Sequence, residues 1–140
     1  MLTASDAAAA IIQLEDGRYV MQLRDDRPDI WYPGHWGCFG GGVNPGESPE
    51  AALQRELFEE LELEINNAVF FTQFDFDLRT LGMGKYYRIY YHIMLSMSQL
   101  GKTKLHEGTA IGNFTGQELL SSIRVTPYDA FALQLFHNRL

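Results

Sequence analysis

The apolar and polar positions divide the chain into alternating strand and helix signals. Residues 7–14, AAAAIIQL, form an apolar run that becomes β-branched toward its end. Asp16-Gly17 follows as a two-residue turn signal, and from Arg18 to Arg24 the residues Tyr19, Met21 and Leu23 share one face while Val20 breaks the alternation. That pattern predicts a β-hairpin. RPDIWYPGHWG, 27–37, holds two prolines and two glycines and predicts a loop rich in aromatic residues. CFGGGV, 38–43, predicts a short strand running into glycines.

SPEAALQRELFEEL, 48–61, is the clearest helix. Ser48 suits the N-cap, Pro49 the first helical position and Glu50 the positive end of the helix dipole. Alanine, leucine, glutamine and glutamate fill its interior, all good helix formers. NAVFFTQFDFDL, 67–78, alternates phenylalanine with polar residues at its end and predicts a half-buried strand. LRTLGMGKYY predicts a turn, and KYYRIYYHIMLSM the arm that pairs back. QLGKTKLHEGTAIGNF, 99–114, predicts a long loop and TGQELLSS a short helix. TPYDAFALQLFHNRL predicts a terminal helix with Thr126 as its N-cap. This order implies an α+β fold, a mixed sheet sandwiched by helices.

Composition adds limits. A chain of 140 residues with 46% hydrophobic content predicts one domain, 1–140, with a true core. A net charge of −7 and a pI near 4.9 argue against a surface for nucleic acid. They leave room for a small phosphorylated ligand, since a metal can bridge acidic side chains to phosphate oxygens. Cys38, a lone cysteine, cannot form an internal disulfide, and MLTASDAAAAIIQLEDG lacks the marks of a secretory leader; both predict the cytoplasm. No apolar run approaches the roughly 20 residues that cross a bilayer, so no membrane association is expected.

The segment 39–65, FGGGVNPGESPEAALQRELFEELELEI, changes the picture most: three glycines, then seven glutamates with Arg55 as the one cation among them. At about 100° per residue, Leu57, Phe58 and Leu61 fall on one side of a helix, with Leu53 at the border, and Glu56, Glu59 and Glu60 on the other. Like charges three and four apart cost roughly 0.2–0.5 kcal/mol per pair, which Arg55 offsets in part by reaching Glu59. Such a face can be mere solvated surface. The glycines beside it argue for more, because they let backbone approach closely, and clustered carboxylates are hard ligands for Mg²⁺ or Mn²⁺.

This stretch resembles the signature box of the Nudix hydrolases. Gly41 is followed after five residues by Glu47, then after seven by Arg55-Glu56-Leu57-Phe58-Glu59-Glu60, and Leu63 fills the last aliphatic place. The family's late glycine is Glu62 here, which predicts that the helix ends differently or runs on, with Asn66-Asn67 supplying a left-handed turn. The resemblance implies an α/β/α sandwich around a mixed β-sheet. It implies Mg²⁺-dependent hydrolysis of a pyrophosphate bond in a nucleoside diphosphate linked to another moiety, a nucleotide-sugar or a modified nucleoside triphosphate. Glu56, Glu59 and Glu60 would hold the metal, with the Gly40 carbonyl in addition, while Arg55 and Glu47 hold loop against helix. The general base would be Glu56 or a loop acid, for which Glu107 is the candidate, also as a metal ligand. His35 and His106 are weaker candidates for a role.

The organic part of a substrate needs stacking faces. Trp31, Tyr32, Trp36 and Phe39 offer them, at least two of the four being expected in the core, and Arg24 and Arg27 are candidates to meet phosphates. Tyr86, Tyr87, Arg88 and Tyr90 are expected along the same cleft or at a dimer surface; the resemblance admits a homodimer without deciding it. The rival reading is a catalytically idle Nudix-like domain that senses a nucleotide metabolite. Retention of all three helix carboxylates argues against it.

Overall fold

The computed structural model describes residues 2–139. β1 (Ala7–Leu14) is the strand around which the sheet is organised. It pairs antiparallel with β2 (Tyr19–Leu23) and with β4 (Phe39–Gly42), and parallel with β6 (Lys85–Leu95). β6 pairs antiparallel with β5 (Val69–Asp77), which forms one edge of the sheet. β3 (Trp36–Gly37) and β7 (Ala110–Phe114) both pair with β2. Seven strands thus form one mixed sheet.

β1 is covered on both sides, so it reads as a nearly continuous apolar run rather than an alternation. Ala8, Ala10, Ile12 and Leu14 join a core with Leu53, Leu57 and Leu61 of α1 (Pro49–Leu61). Ala9 and Ile11 point into a second core with Leu119 of α3 (Gly116–Ser121) and with Ala132, Leu133 and Phe136 of α4 (Pro127–His137). Helices therefore cover both faces of the sheet, the α/β/α sandwich. Small residues meet along the β1–β4 seam, where Ala7 lies opposite Gly42, Ala8 opposite Gly41 and Ala9 opposite Gly40.

Four local expectations are corrected. The predicted loop 99–114 contains β7, five residues whose partner strand lies about ninety positions earlier in the chain. The short helix α2 (Met97–Gly101) precedes it, started by a capping box between Ser96 and Gln99. Thr126 stands at the N-cap of α4 as expected, but its side chain makes no capping bond to the helix N–H groups; its hydroxyl donates instead to Asp129 Oδ2 (2.8 Å). On α1 the buried positions are Ala52, Leu53, Leu57, Glu60 and Leu61, while Phe58 is 50% exposed. The core-facing arc of α1 therefore includes Glu60, which the helix periodicity had placed with the solvent-side acids.

α1 starts as expected, with Ser48 Oγ accepting from the Ala51 N–H (3.1 Å). It stops at Glu62, whose φ of 54° and ψ of 31° are left-handed. Glu62 itself makes the turn that Asn66-Asn67 were expected to make. Its N–H donates to the Phe58 carbonyl (2.8 Å).

Candidate active site

The site forms where the glycines of β4 pass the middle of α1. Gly40 has a φ of 138°, and a side chain there would collide with the Ala8 carbonyl. A Cβ on Gly41 would lie 2.6 Å from Glu56 Oε2. Only glycine lets β4 run between β1 and the helix carboxylates. Gly42 is less constrained, since its added Cβ would come no nearer than 3.3 Å, to Ser5 Oγ.

Arg55 ties this loop to the helix. Its Nε and Nη2 donate to the two oxygens of Glu47 (2.8 and 2.9 Å), a forked pair that fixes orientation as well as charge. Nη2 also donates to the Gly42 carbonyl (2.9 Å), and Nη1 reaches Glu56 Oε1 (3.0 Å) and both oxygens of Glu59 (3.4 Å). Glu47 accepts a further bond from the Asn44 N–H (3.0 Å). Bonding to Arg55 and to that N–H pulls the Glu47 carboxyl down to about 2. Bonding to Glu47, then to Glu56, raises the Arg55 pKa.

Glu60 is only 2% exposed. Its Oε1 accepts from the Gly40 N–H (2.9 Å), and its Oε2 from Gln22 Nε2 at the long distance of 3.5 Å. Its carboxyl is raised to about 8, first by burial and then by the charges of Glu107 and Glu56, against the opposing bond from the Gly40 N–H. Glu56 is also raised by burial, against the pull of Arg55, with the charges of Glu59 and Glu107 adding to the rise. Glu59 stays half exposed.

Glu107 reaches this group from the loop before β7. The loop N–H groups of Lys104 and His106 donate to the carbonyls of Leu61 (3.0 Å) and Glu60 (2.8 Å), supplying partners to the open end of α1. Gln22 Nε2 donates to the Glu107 carbonyl (3.1 Å). Glu107 is thereby held beside Glu56 and Glu60, with its own carboxyl exposed. His106 turns instead to Glu62 (2.6 Å), and His35 to the Pro33 carbonyl (3.0 Å).

Four carboxylates, Glu56, Glu59, Glu60 and Glu107, thus share one neighbourhood, and among the described residues Arg55 is the single cation bonded to any of them. Among the described residues, no three histidine, cysteine, aspartate or glutamate side chains are drawn tightly enough to form a finished metal cage. An open set of hard oxygen donors around a buried, electrostatically disfavoured carboxylate fits a divalent cation such as Mg²⁺, which completes its shell with waters and substrate phosphates.

A cleft of about 410 Å³ opens from the glycines, lined by Arg24, Trp31, Tyr32, Gly40, Arg88 and Tyr128 among others. Arg24 Nε donates to the Trp31 carbonyl (2.9 Å), and Trp31 Nε1 to the Thr3 carbonyl (2.8 Å). Tyr32 meets Tyr128 edge to face at 5.9 Å. Tyr86, Tyr87 and Arg88 also line the cleft. The other expected ligand contacts lie elsewhere. Phe39 is fully buried against α1, and Trp36 packs on Phe114 at 4.8 Å in the opposite core. Arg27 is held in an exposed pair with Asp29 (3.0 Å), and Tyr90 is buried.

Sequence reasoning missed Gln22, Tyr128 and Asp129. Gln22 is a polar residue in an apolar strand, 6% exposed, which is a usable signal. Asp129 is 1% exposed and accepts from Arg88, Tyr90, Thr126 and the Cys38 N–H; a first-turn aspartate ordinarily reads as a cap. A larger cavity of about 540 Å³ lies by the β5–β6 hairpin. Asp6, Asp75, Asp77 and Lys85 line it, and none of the β4 glycines reaches it.

The sequence model of the family described as NUDIX domain matches residues 4–137. Nucleoside triphosphatase NudI from Escherichia coli O1:K1 / APEC is 51% identical over 47 residues, 33% of this chain and 32% of that one. The chain therefore spans about a third of the length of the curated relatives it matches. Among solved structures, a MutT protein from Methanosarcina mazei Go1 has a TM-score of 0.79 at 21% identity, covering 96% of this chain and 94% of that one. The E. coli dihydroneopterin triphosphate pyrophosphohydrolase has a TM-score of 0.73 at 18% identity, covering 97% of each chain. At these identities the structures speak for the fold.

Proposed function

The chain belongs to the NUDIX domain family, and on that premise we propose that it hydrolyses a pyrophosphate bond in a nucleoside diphosphate linked to a further moiety, with Mg²⁺ as its cation and Mn²⁺ as a substitute. The observation that carries the reading is the group Glu56, Glu59 and Glu60 beside the β4 glycines, locked by Arg55. The likeness to a nucleoside triphosphatase over 47 residues, and the fold shared with a pyrophosphohydrolase, support a phosphorylated nucleotide or a related triphosphate as substrate.

Hydrolysis of such a bond requires water to attack a phosphorus shielded by negative oxygens, so catalysis is largely positioning and electrostatics. Glu56, Glu59, Glu60 and the Gly40 carbonyl would hold the cation. When bound, it supplies neutralisation of the phosphate charge. Arg55 and Glu47 keep β4 and α1 in register, and the Gly40 N–H orients Glu60. A carboxylate must take the proton of the attacking water; Glu56 and Glu107 are the two candidates. Trp31 and Tyr32 stack on the organic part, and Arg24 meets its phosphate end.

Glu59→Gln and Glu60→Gln should each lower Mg²⁺-dependent release of phosphate, pyrophosphate or monophosphate from a nucleotide panel by about a hundredfold. Unchanged rates in both variants would overturn the metal assignment. Tight binding of a nucleotide by the wild type, with no turnover of any in the panel, would favour the sensor instead.

A further inference from the structure

The floor of the cleft holds a residue that the hydrolytic reading does not use. Arg88, on β6, directs Nε and Nη2 at Asp129 Oδ1 (3.2 and 3.0 Å), and Nε also donates to Tyr90 Oη (2.9 Å). The Tyr90 hydroxyl in turn donates to Asp129 Oδ1 (2.6 Å). The other aspartate oxygen accepts from Thr126 Oγ1 (2.8 Å) and from the Cys38 N–H (2.9 Å). The guanidinium lies over the Tyr128 ring at 4.7 Å. Side chains of β6 and α4, with the Cys38 N–H behind them, therefore fix one planar group in one orientation.

One part of that group is left over. Arg88 Nη1 has no acceptor among the described residues, and no sealed side-chain polar atom among them lacks a partner. Nη1 is therefore open to solvent. Arg88 is 18% exposed and lines the cleft beside Trp31, Tyr32 and Tyr128. The cleft thus offers aromatic faces for a flat ring and, at its floor, a fixed donor with no acceptor capacity.

Charge decides what that donor takes. The Arg88 cation is already balanced by the buried Asp129 carboxylate. A phosphate gains little there, and a neutral carbonyl oxygen fits both the charge and the donor. Resting on the reading of this cleft as the organic end of the substrate site, we propose that Arg88 is a specificity-determining residue that selects a base presenting a carbonyl oxygen to Nη1 over one presenting an amino group. An amino group would set donor against donor and leave both without a partner, the arrangement that a buried polar site penalises most.

Two matched pairs of nucleoside triphosphates test this, inosine against adenosine and uridine against cytidine, since each pair exchanges one exocyclic oxygen for an amino group. The wild type, with Mg²⁺, should favour the oxo member by about ten- to a hundredfold in kcat/KM. Arg88→Gln, whose amide offers an acceptor as well as a donor, should bring the ratio close to one. Because that change strands Asp129, the double variant Arg88→Gln/Asp129→Asn is measured as well. Equal values for both members of each pair in the wild type would overturn the inference. So would an equal loss on all four substrates in the variants, which is what a purely structural Arg88 produces. Binding of the corresponding α,β-methylene analogues separates the two readings. Oxo-selective binding of the analogues with no turnover of the four parent triphosphates keeps this inference and refutes their hydrolysis, whereas turnover of the parents without selectivity refutes this inference alone.

Discussion

Glu62 holds a left-handed conformation, φ 54° and ψ 31°, that L-residues other than glycine and asparagine seldom adopt. The helix must nonetheless stop there, because the loop after α2 crosses its end and occupies the carbonyls of Glu60 and Leu61. Part of the strain is offset where Glu62 meets His106 (2.6 Å), a contact that with Lys104 lowers the Glu62 pKa. Glu62→Gly should therefore raise the melting temperature by about 2–4 °C, with kcat unchanged, since the carboxylates of Glu56 and Glu60 do not depend on it. A lower melting temperature would mean that the His106 contact outweighs the backbone term. The sequence placed a departure at this position but not its outcome, because the neighbour that matters, His106, is 44 residues away.

At the scale of elements, the pair of Glu47 with Arg55 joins the β4 loop to α1, and its pH range follows from Glu47. The carboxyl is held at about 2 in the fold against an ordinary 4.5, so the fold favours its charged form. The stability this gives is complete above about 4.5 and is lost as pH falls toward 2. The difference in melting temperature between the wild type and Glu47→Gln should accordingly be constant above pH 5 and shrink below 4.5. A difference that stays the same from pH 5 down to 2 would show that Glu47 titrates in the fold as it does in the unfolded chain. The N-cap Ser48 and the run of carboxylates were legible in the sequence because their partners sit within about a dozen positions, and the clamp came with the family resemblance. What the sequence did not disclose on α1 was the burial of Glu60 and the exposure of Phe58. Periodicity locates an apolar stripe only within about one residue's rotation, and the sheet decides which border residue turns inward.

Across the whole molecule, Asp129 does for α4 what Arg55 does for α1. It binds the second helix layer to β6 through Arg88 and Tyr90, and to the start of β4 through the Cys38 N–H. Burial is the largest influence on Arg88 and works against its charge, but Asp129 together with Tyr90, Tyr128 and Cys38 holds the pKa raised. Asp129→Ala would leave that cation buried without a counter-ion and should cost about 3–5 kcal/mol in urea unfolding. A loss under about 1 kcal/mol would show that water readily replaces the carboxylate. The layered fold was legible, since hairpin, helix and β5–β6 pair all carry local patterns. β7 was not, because AIGNF has no turn-bounded alternation of its own and forms only where β2 offers an edge. The seam of Ala7–Ala9 against Gly40–Gly42 has a further consequence. Side chains are small along this seam, and the fully buried Ala8 lies opposite Gly41, where an added Cβ would itself meet Glu56. In the history of such a chain, drift is therefore restricted not only at its acids but at featureless alanines that touch no ligand. A survey of tolerated variants would mark these alanines as functional although they perform no chemistry.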